Sequence, residues 1–451
     1  MAVEVALATP LAGCESLPCD AGALTSALGA AGSGDVVEIG ACRIAGAFEV
    51  PAGVTVRGMS GTVLASVDAR PVLTALGPAS VSRLEIDVDH GGVGVVARTG
   101  ALTLTNLDLV VTRGVGVGVE GVPLTASLVR LRGPITEANA AFAPMAAAET
   151  GTFGLVARGL ASGQTVTLTD VHVADFAVAG VSVGGGTLTW SGPTIPTDVE
   201  GIRGVGIALF GTHASLEGVE VASMRSGVGM PGIGVVASPL EGAATELAAT
   251  ELVVRDGDGY GLFGDGAAIV LDGAELRDLG LMGVRLQGGS LEATDLAALR
   301  NGGAGVMAID TDHVGIERGQ LDAQREALFV TSLGSVRVAD GLEMVRDPDS
   351  ADAPPLDLTL IDVSLGDNAR AGLLLDANDA SVGGLRIENV TASASGSGYG
   401  AVTQRTPVPD GWDTGIARMG AAATNDAAFS TPIDVVGIMM PPGLVATPPP
   451  F

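Results

Sequence analysis

The chain has 451 residues, of which 47% are hydrophobic and only 3% aromatic, and a net charge of −28 in which every basic residue is an arginine. That charge argues against nucleic acid or an anionic lipid surface as the partner, and no apolar run is long enough for a membrane-spanning helix. The 68 glycines lack the Gly-X-Y order of collagen, and with so few aromatics the core must be built from Val, Leu, Ile and Ala.

Residues 1–33 read as an N-terminal strand and a cap helix. Leu11-Ala12-Gly13-Cys14 spells a bacterial lipobox, which makes Cys14 a candidate for lipidation. The segment before it lacks a basic region and carries Glu4, so residues 3–8 compete as a first strand of the mature fold. The three cysteines all fall within the first 42 residues. A Cys19–Cys42 bridge ranks first, Cys14–Cys19 second and three free thiols third. The first two imply an oxidising compartment. Residues 20–31 predict a helix with Asp20 as N-cap, Leu24 and Leu28 on one face, and Gly32 to Gly34 ending it. Such a helix would cover the open tip of a β-coil.

Residues 34–403 carry a repeat. Gly261, Gly283 and Gly305 are 22 residues apart, each opening a Gly-apolar-x-x run, and Ala327 stands in the Gly place after a further 22. Matching anchors are Gly94, Gly116, Gly154, Gly180, Gly206, Gly234, Gly372 and Gly400. A period in the twenties marks a solenoid. In the coil 283–304, Val284, Leu286, Leu291, Ala293 and Leu296 alternate inward, and Arg285, Glu292 and Thr294 outward. The solenoid is therefore all-β, with about a dozen coils. Each anchor either sits at a corner with positive φ or lies too close to the next backbone for a Cβ. Asp89, Asp175, Asp256, Asp278, Asp322 and Asp367 stand five residues before anchors and read as turn residues. Loop insertions are expected near 135–150 and 347–355, where binding to a partner would reside. Residues 404–451 form a Pro-rich C-terminal cap or tail.

The run GDVVEIGACRIAGAFEVPAGVTVRGM (34–59), following the cap helix, resembles the opening of right-handed parallel β-helix proteins of the pectin-lyase-like superfamily. Cys42 stands where the family more often has Gly, and Ile44 where it often has Tyr. The resemblance implies a right-handed parallel β-helix and leaves the chemistry open, because lyases, hydrolases, epimerases, adhesins and inert spikes share that fold.

The catalytic sets of that superfamily are incomplete in this chain. There is no Asp-Asp pair, Gly-His-Gly or Lys for a polygalacturonase-like hydrolase. Arg132, Arg346 and Arg405 each lack the second arginine of the lyase Arg-x-Pro-x-x-Arg. Asp89-His90 and Asp312-His313 echo only the end of Trp-Ile-Asp-His. Arg255, Arg277 and Arg285 are candidates for a local basic groove. Asp310, Asp312 and His313 form the best acid/base cluster. Asp256, Asp258 and Asp265 are candidate Ca²⁺ ligands. Thr103/Thr105, Thr125/Ser127, Thr167/Thr169 and Thr187/Thr189 make a rank of hydroxyls over four coils, which ends at Ser215 and Glu217. His172 is expected to face outward beside Thr167 and Thr169 in a structural role. Tyr260 and Tyr399, each directly before an anchor, are expected in the core.

These residues predict an exported or cell-surface scaffold, adhesin-like and non-enzymatic, whose partner is a polysaccharide or another surface protein. The rival is a carbohydrate-active enzyme of the polysaccharide lyase or epimerase type, acting on a surface groove at residues 255–313. An extracellular, cell-surface or periplasmic location follows from either.

Overall fold

The computed structural model describes residues 17–134, 152–192, 198–227, 230–331, 334–347, 354–377, 382–394, 399–408 and 410–419. Cys14, the strand expected at 3–8, the insertion at 135–150, most of that at 347–355 and the end of the tail lie outside them.

The cap helix runs Ala21–Ala30, with Asp20 accepting a hydrogen bond from the Ala23 amide, and Leu24 and Leu28 are its buried residues. Cys19 and Cys42 are joined across 23 residues with their Cα atoms 5.9 Å apart. From there the chain winds into a parallel β-solenoid of about 13 turns. Each turn contributes one strand to each of three sheets. For the regular turns these are Tyr260–Asp265, Ala268–Asp272 and Glu275–Arg277, followed by Val284–Gln287, Ser290–Thr294 and Ala297–Leu299. The register is one of identical copies: Leu262 faces Val284, which faces Val306. At about 4.8 Å per rung the rod is roughly 60 Å long.

The coil 283–304 alternates as its sequence predicts. Val284, Leu286, Leu291, Ala293 and Leu296 line the lumen at 0–4% exposure. Arg285 departs from the expectation. It points outward but is 1% exposed, with its guanidinium 5.9 Å from the Tyr260 ring and 5.4 Å from the Phe263 ring. The outward face of the anchor sheet carries its own apolar cluster, including Ile233, Val236, Tyr260, Phe263 and Met307. Tyr260 is therefore buried on that outer face and not in the lumen, and Tyr399 packs against a third cluster farther along.

The anchors have the second of their two expected causes. None has a positive φ. A Cβ on Gly261 would meet the Gly283 carbonyl oxygen at 2.6 Å, one on Gly283 the Gly305 oxygen at 2.6 Å, and one on Gly305 the Gly341 oxygen at 2.7 Å. The anchors thus sit within strands, stacked too closely for a side chain. The rung after Gly305 is occupied by Gly341, which corrects the placing of Ala327. Ala327–Thr331 instead pairs antiparallel with the start of Gly334–Val345, a hairpin inserted between two coils.

The corners use left-handed backbone. Asp175, Asp256, Asp278, Arg300 and Asp367 have φ between 55° and 66°, as turn chemistry requires. At Asp89 and Asp322 the neighbours His90 and Ala323 take that conformation instead. The Asp322 carboxylate binds the Ser364 hydroxyl at 2.9 Å and the Gly366 amide. Inside the same edge runs an amide ladder. The Leu279 amide donates to Asn301 Oδ1 (3.1 Å), the Asn301 amide to Gln324 Oε1 (2.9 Å), and the Gln324 amide to Asn368 Oδ1 (3.0 Å). All three side chains are at most 2% exposed.

Candidate functional site

The acid/base cluster expected at 310–313 is dispersed by the turn it occupies. Asp310 is a left-handed corner residue, φ 50°, whose carboxylate accepts from the Asp347 amide at 2.9 Å. His313 turns away onto the second sheet, where its two ring nitrogens lie 3.2 Å from Glu292 and 3.2 Å from Asp357. The Ca²⁺ cage does not assemble either. Asp258 accepts from the Ser226 and Gly232 amides (2.7 and 3.1 Å), Asp256 pairs with Arg255, and Asp265 lies at the far end of its strand near Ser238. Among the described residues no group of three His, Cys, Asp or Glu side chains is placed to hold a metal ion. The basic groove expected nearby is likewise absent: Arg255 is held by Glu220 and Asp256, Arg277 by Glu275 and Asp278, and Arg285 is buried.

A groove does exist in the N-terminal coils, at the corner between the second and third sheets. The strands Ala79–Val88, Leu102–Val111, Leu124–Arg132 and Thr152–Ala174 run across this corner without a break. They turn on single left-handed residues, Arg83, Asn106, Leu128 and Asp170, with φ of 51–58°. This corner corrects the placing of His172. It lies past Asp170, on the third sheet, and lines the groove. The cavity is about 1030 Å³, with Glu38, Arg57, Glu85, Asp108, Arg130 and His172 among its charged or titratable walls.

Register stacks six titratable side chains in one outward file. Glu85 faces Asp108, Asp108 faces Arg130, and Arg130 faces His172. Asp198 follows one rung on, and Glu220 after it. Successive members are separated by one rung, about 4.8 Å. Arg57 is tied to Glu38 at 3.3 Å and Arg132 to Asp108 at 2.8 Å. The Arg83 and Arg130 guanidinium groups, both facing the groove, have no side-chain partner among the described residues. His172 Nε2 lies 3.6 Å from Glu200. Burial first, then the charges of Asp87 and Asp108, push the Glu85 carboxyl upward. Asp198 is 1% exposed. Its Oδ2 accepts from the Glu220 amide at 2.9 Å while Oδ1 is buried without a partner. Burial pushes its carboxyl up to about 7.

A hydroxyl face borders this groove on the second sheet. Thr103, Thr125, Thr167 and Thr189 stack in one column, with Ser80 before them and Ser215 after. The expected alignment of Thr187 under Thr167 is off by two residues, since Thr187 faces Thr165. The sequence hid the file and the longer hydroxyl column for one reason. Their members are 22 to 42 residues apart at unequal steps, so no fixed period collects them.

No protein-family model and no curated protein matches the chain. Among solved structures it is similar to two mannuronan C-5 epimerase A-modules of Azotobacter vinelandii. One is 13% identical with a TM-score of 0.33, over 76% of this chain and 90% of that one. The other is 12% identical with a TM-score of 0.38, over 86% and 95%. It is also similar to a mannuronic acid specific family 6 polysaccharide lyase from human gut microbiota, at 9% identity and a TM-score of 0.26, over 89% and 90%.

Proposed function

We propose that this is an exported carbohydrate-active β-helix of the lyase or epimerase type, working on an acidic polysaccharide laid along the corner groove. The observation that carries the reading is the adjacency of Arg130 and His172, one rung apart on the groove wall. Both lyase and epimerase chemistry start by removing the proton beside a uronate carboxyl group. The step needs a cation on the carboxylate and a base at the carbon next to it. Arg130, which has no ion-pair partner among the described residues, suits the first role. His172, oriented by Glu200, suits the second. In elimination the electron pair left on that carbon forms a double bond, and the glycosidic oxygen leaves with a proton. In epimerisation a proton returns to the opposite face. The Cys19–Cys42 bridge supports an oxidising location.

The test is incubation of the full chain with alginate and polygalacturonate, following unsaturated uronate ends by absorbance and inverted C5 centres by proton NMR. Arg130→Ala and His172→Ala should each remove turnover, while Asp312→Asn should leave it intact. The scaffold reading predicts binding without product. Product formation that survives both groove substitutions would overturn the assignment of the site.

A further inference from the structure

The file along the groove suggests how binding there is controlled, an inference that rests on the polysaccharide reading. In a groove that is to hold carboxylates, four carboxylates outnumber three arginines: Glu38, Glu85, Asp108 and Asp170 against Arg57, Arg83 and Arg130. Two of the acids contribute nothing to neutralising a free arginine. Glu38 is spent on Arg57 and Asp108 on Arg132. Glu85 is different. It is half-buried, with Asp87 and Asp108 raising the cost of its charge and only Arg132 opposing them. Arg43 is already committed to Asp87.

On the other side of Arg130 in the file stands Asp198, fully buried with an orphaned oxygen. Glu220 faces it and the charge of Asp170 reaches it, while Glu200 and Asp175 crowd His172 on the adjacent rung. An ionised carboxylate with only one of its two oxygens hydrogen-bonded is costly in such a place. A protonated one makes a smaller demand on its surroundings. Glu85 and Asp198 thus bracket Arg130 at two rungs each way, about 9.6 Å, inside the distance over which partly buried charges are felt.

We propose that the groove is a proton-gated anion site: as Glu85 and Asp198 take up protons, the field around Arg83 and Arg130 turns from repelling to holding a polyuronate chain. Without the Glu85 charge the lining is balanced, three arginines to three carboxylates. The polymer's own carboxylates stay ionised above about pH 5, so mild acid changes the protein's charge and not the ligand's. The gate releases its ligand when the surroundings turn alkaline.

The experiment measures binding of a polygalacturonate oligomer to the full chain by calorimetry between pH 5.5 and 8.5, at fixed ionic strength. Affinity should fall at least tenfold across that range. Glu85→Gln should bind several-fold more tightly than wild type at pH 8.5. Asp198→Asn, the more buried change, should flatten the upper part of the profile, with its fold checked by circular dichroism. A neutral oligosaccharide of the same length should show no such slope. Equal affinity at both ends, or a slope unchanged in both Glu85→Gln and Asp198→Asn, overturns the gate while leaving the site. No binding at any pH overturns the site and the gate together.

Discussion

Substituting Gly283 by alanine tests what holds successive coils at their spacing. The added methyl would stand 2.6 Å from the Gly305 carbonyl oxygen, 3.0 Å from Asn301 Nδ2 and 3.1 Å from Ala298 Cβ. The first neighbour is backbone and cannot rotate away. The second is committed to the Leu276 carbonyl, 3.0 Å distant. Relief requires the two rungs to part by several tenths of an ångström. That stretches the bond from the Gly283 amide to the Ala304 carbonyl (3.0 Å). Overpacking costs about 1–3 kcal/mol, and weakening such bonds adds about 1 kcal/mol. Restricting the unfolded chain returns about 0.4–1 kcal/mol. The net expectation is a loss of roughly 2–3 kcal/mol, and more for Gly283→Val. The control is Gly218→Asn, at φ 62° with nothing near its missing Cβ, which should be nearly neutral because Asn tolerates that conformation. Urea unfolding followed by circular dichroism gives the total, and amide exchange over 261–305 locates it, since solenoid stability is a sum over neighbouring rungs. A Gly283→Ala change within about 0.5 kcal/mol of wild type would refute close stacking as the reason for the glycine file.

Glu343 is fully buried between Arg370 and Asp340, and burial pushes its carboxyl up to about 8. The folded protein therefore holds a proton that the unfolded chain has released, so the stabilisation is complete below about pH 4.5 and lost as pH rises through 8. Glu343→Gln should remove that slope, on the order of 2–4 kcal/mol, read as Tm between pH 5 and 9; an unchanged slope would place the titration elsewhere. Reducing Cys19–Cys42, or replacing both by serine, should cost about 2–4 kcal/mol for a loop of this size, with faster amide exchange confined to the cap helix and first coils. Exchange that quickens throughout the rod would show that the bridge holds more than the cap. Arg83→Ala should weaken polyuronate binding several-fold and leave Tm unchanged, because no side chain among the described residues pairs with it; a fall in Tm would give it a structural role.

The sequence discloses whatever repeats and hides whatever stacks without repeating. Gly261, Gly283 and Gly305 announce the coil because their spacing is constant, and Asp20 announces the cap because capping chemistry is local. Glu85, Asp108, Arg130, His172 and Asp198 share one wall but no period, since loops of different length separate their rungs. The left-handed turn at Asp170 moves His172 to another sheet from Thr167 and Thr169, although the strand alternation reads straight through it. Arg285 shows the complementary failure. Alternation assigns it outward, and only packing against Tyr260 and Phe263 reveals that outward is not exposed. The amide ladder escapes for both reasons: its Asn301, Gln324 and Asn368 lie at steps of 23 and 44 residues, the second enlarged by the hairpin.

The glycine file has a consequence for building with this protein. Since Gly305 repeats the surroundings of Gly283, and Val306 those of Val284, the stretch 283–304 is a self-contained brick. Excising it would let Gly305 settle on Gly261 with every inward residue still meeting its counterpart. Copying it would lengthen the rod by one course. The molecule is thus a ruler with removable gradations, adjustable in height while the groove at its other end keeps its shape.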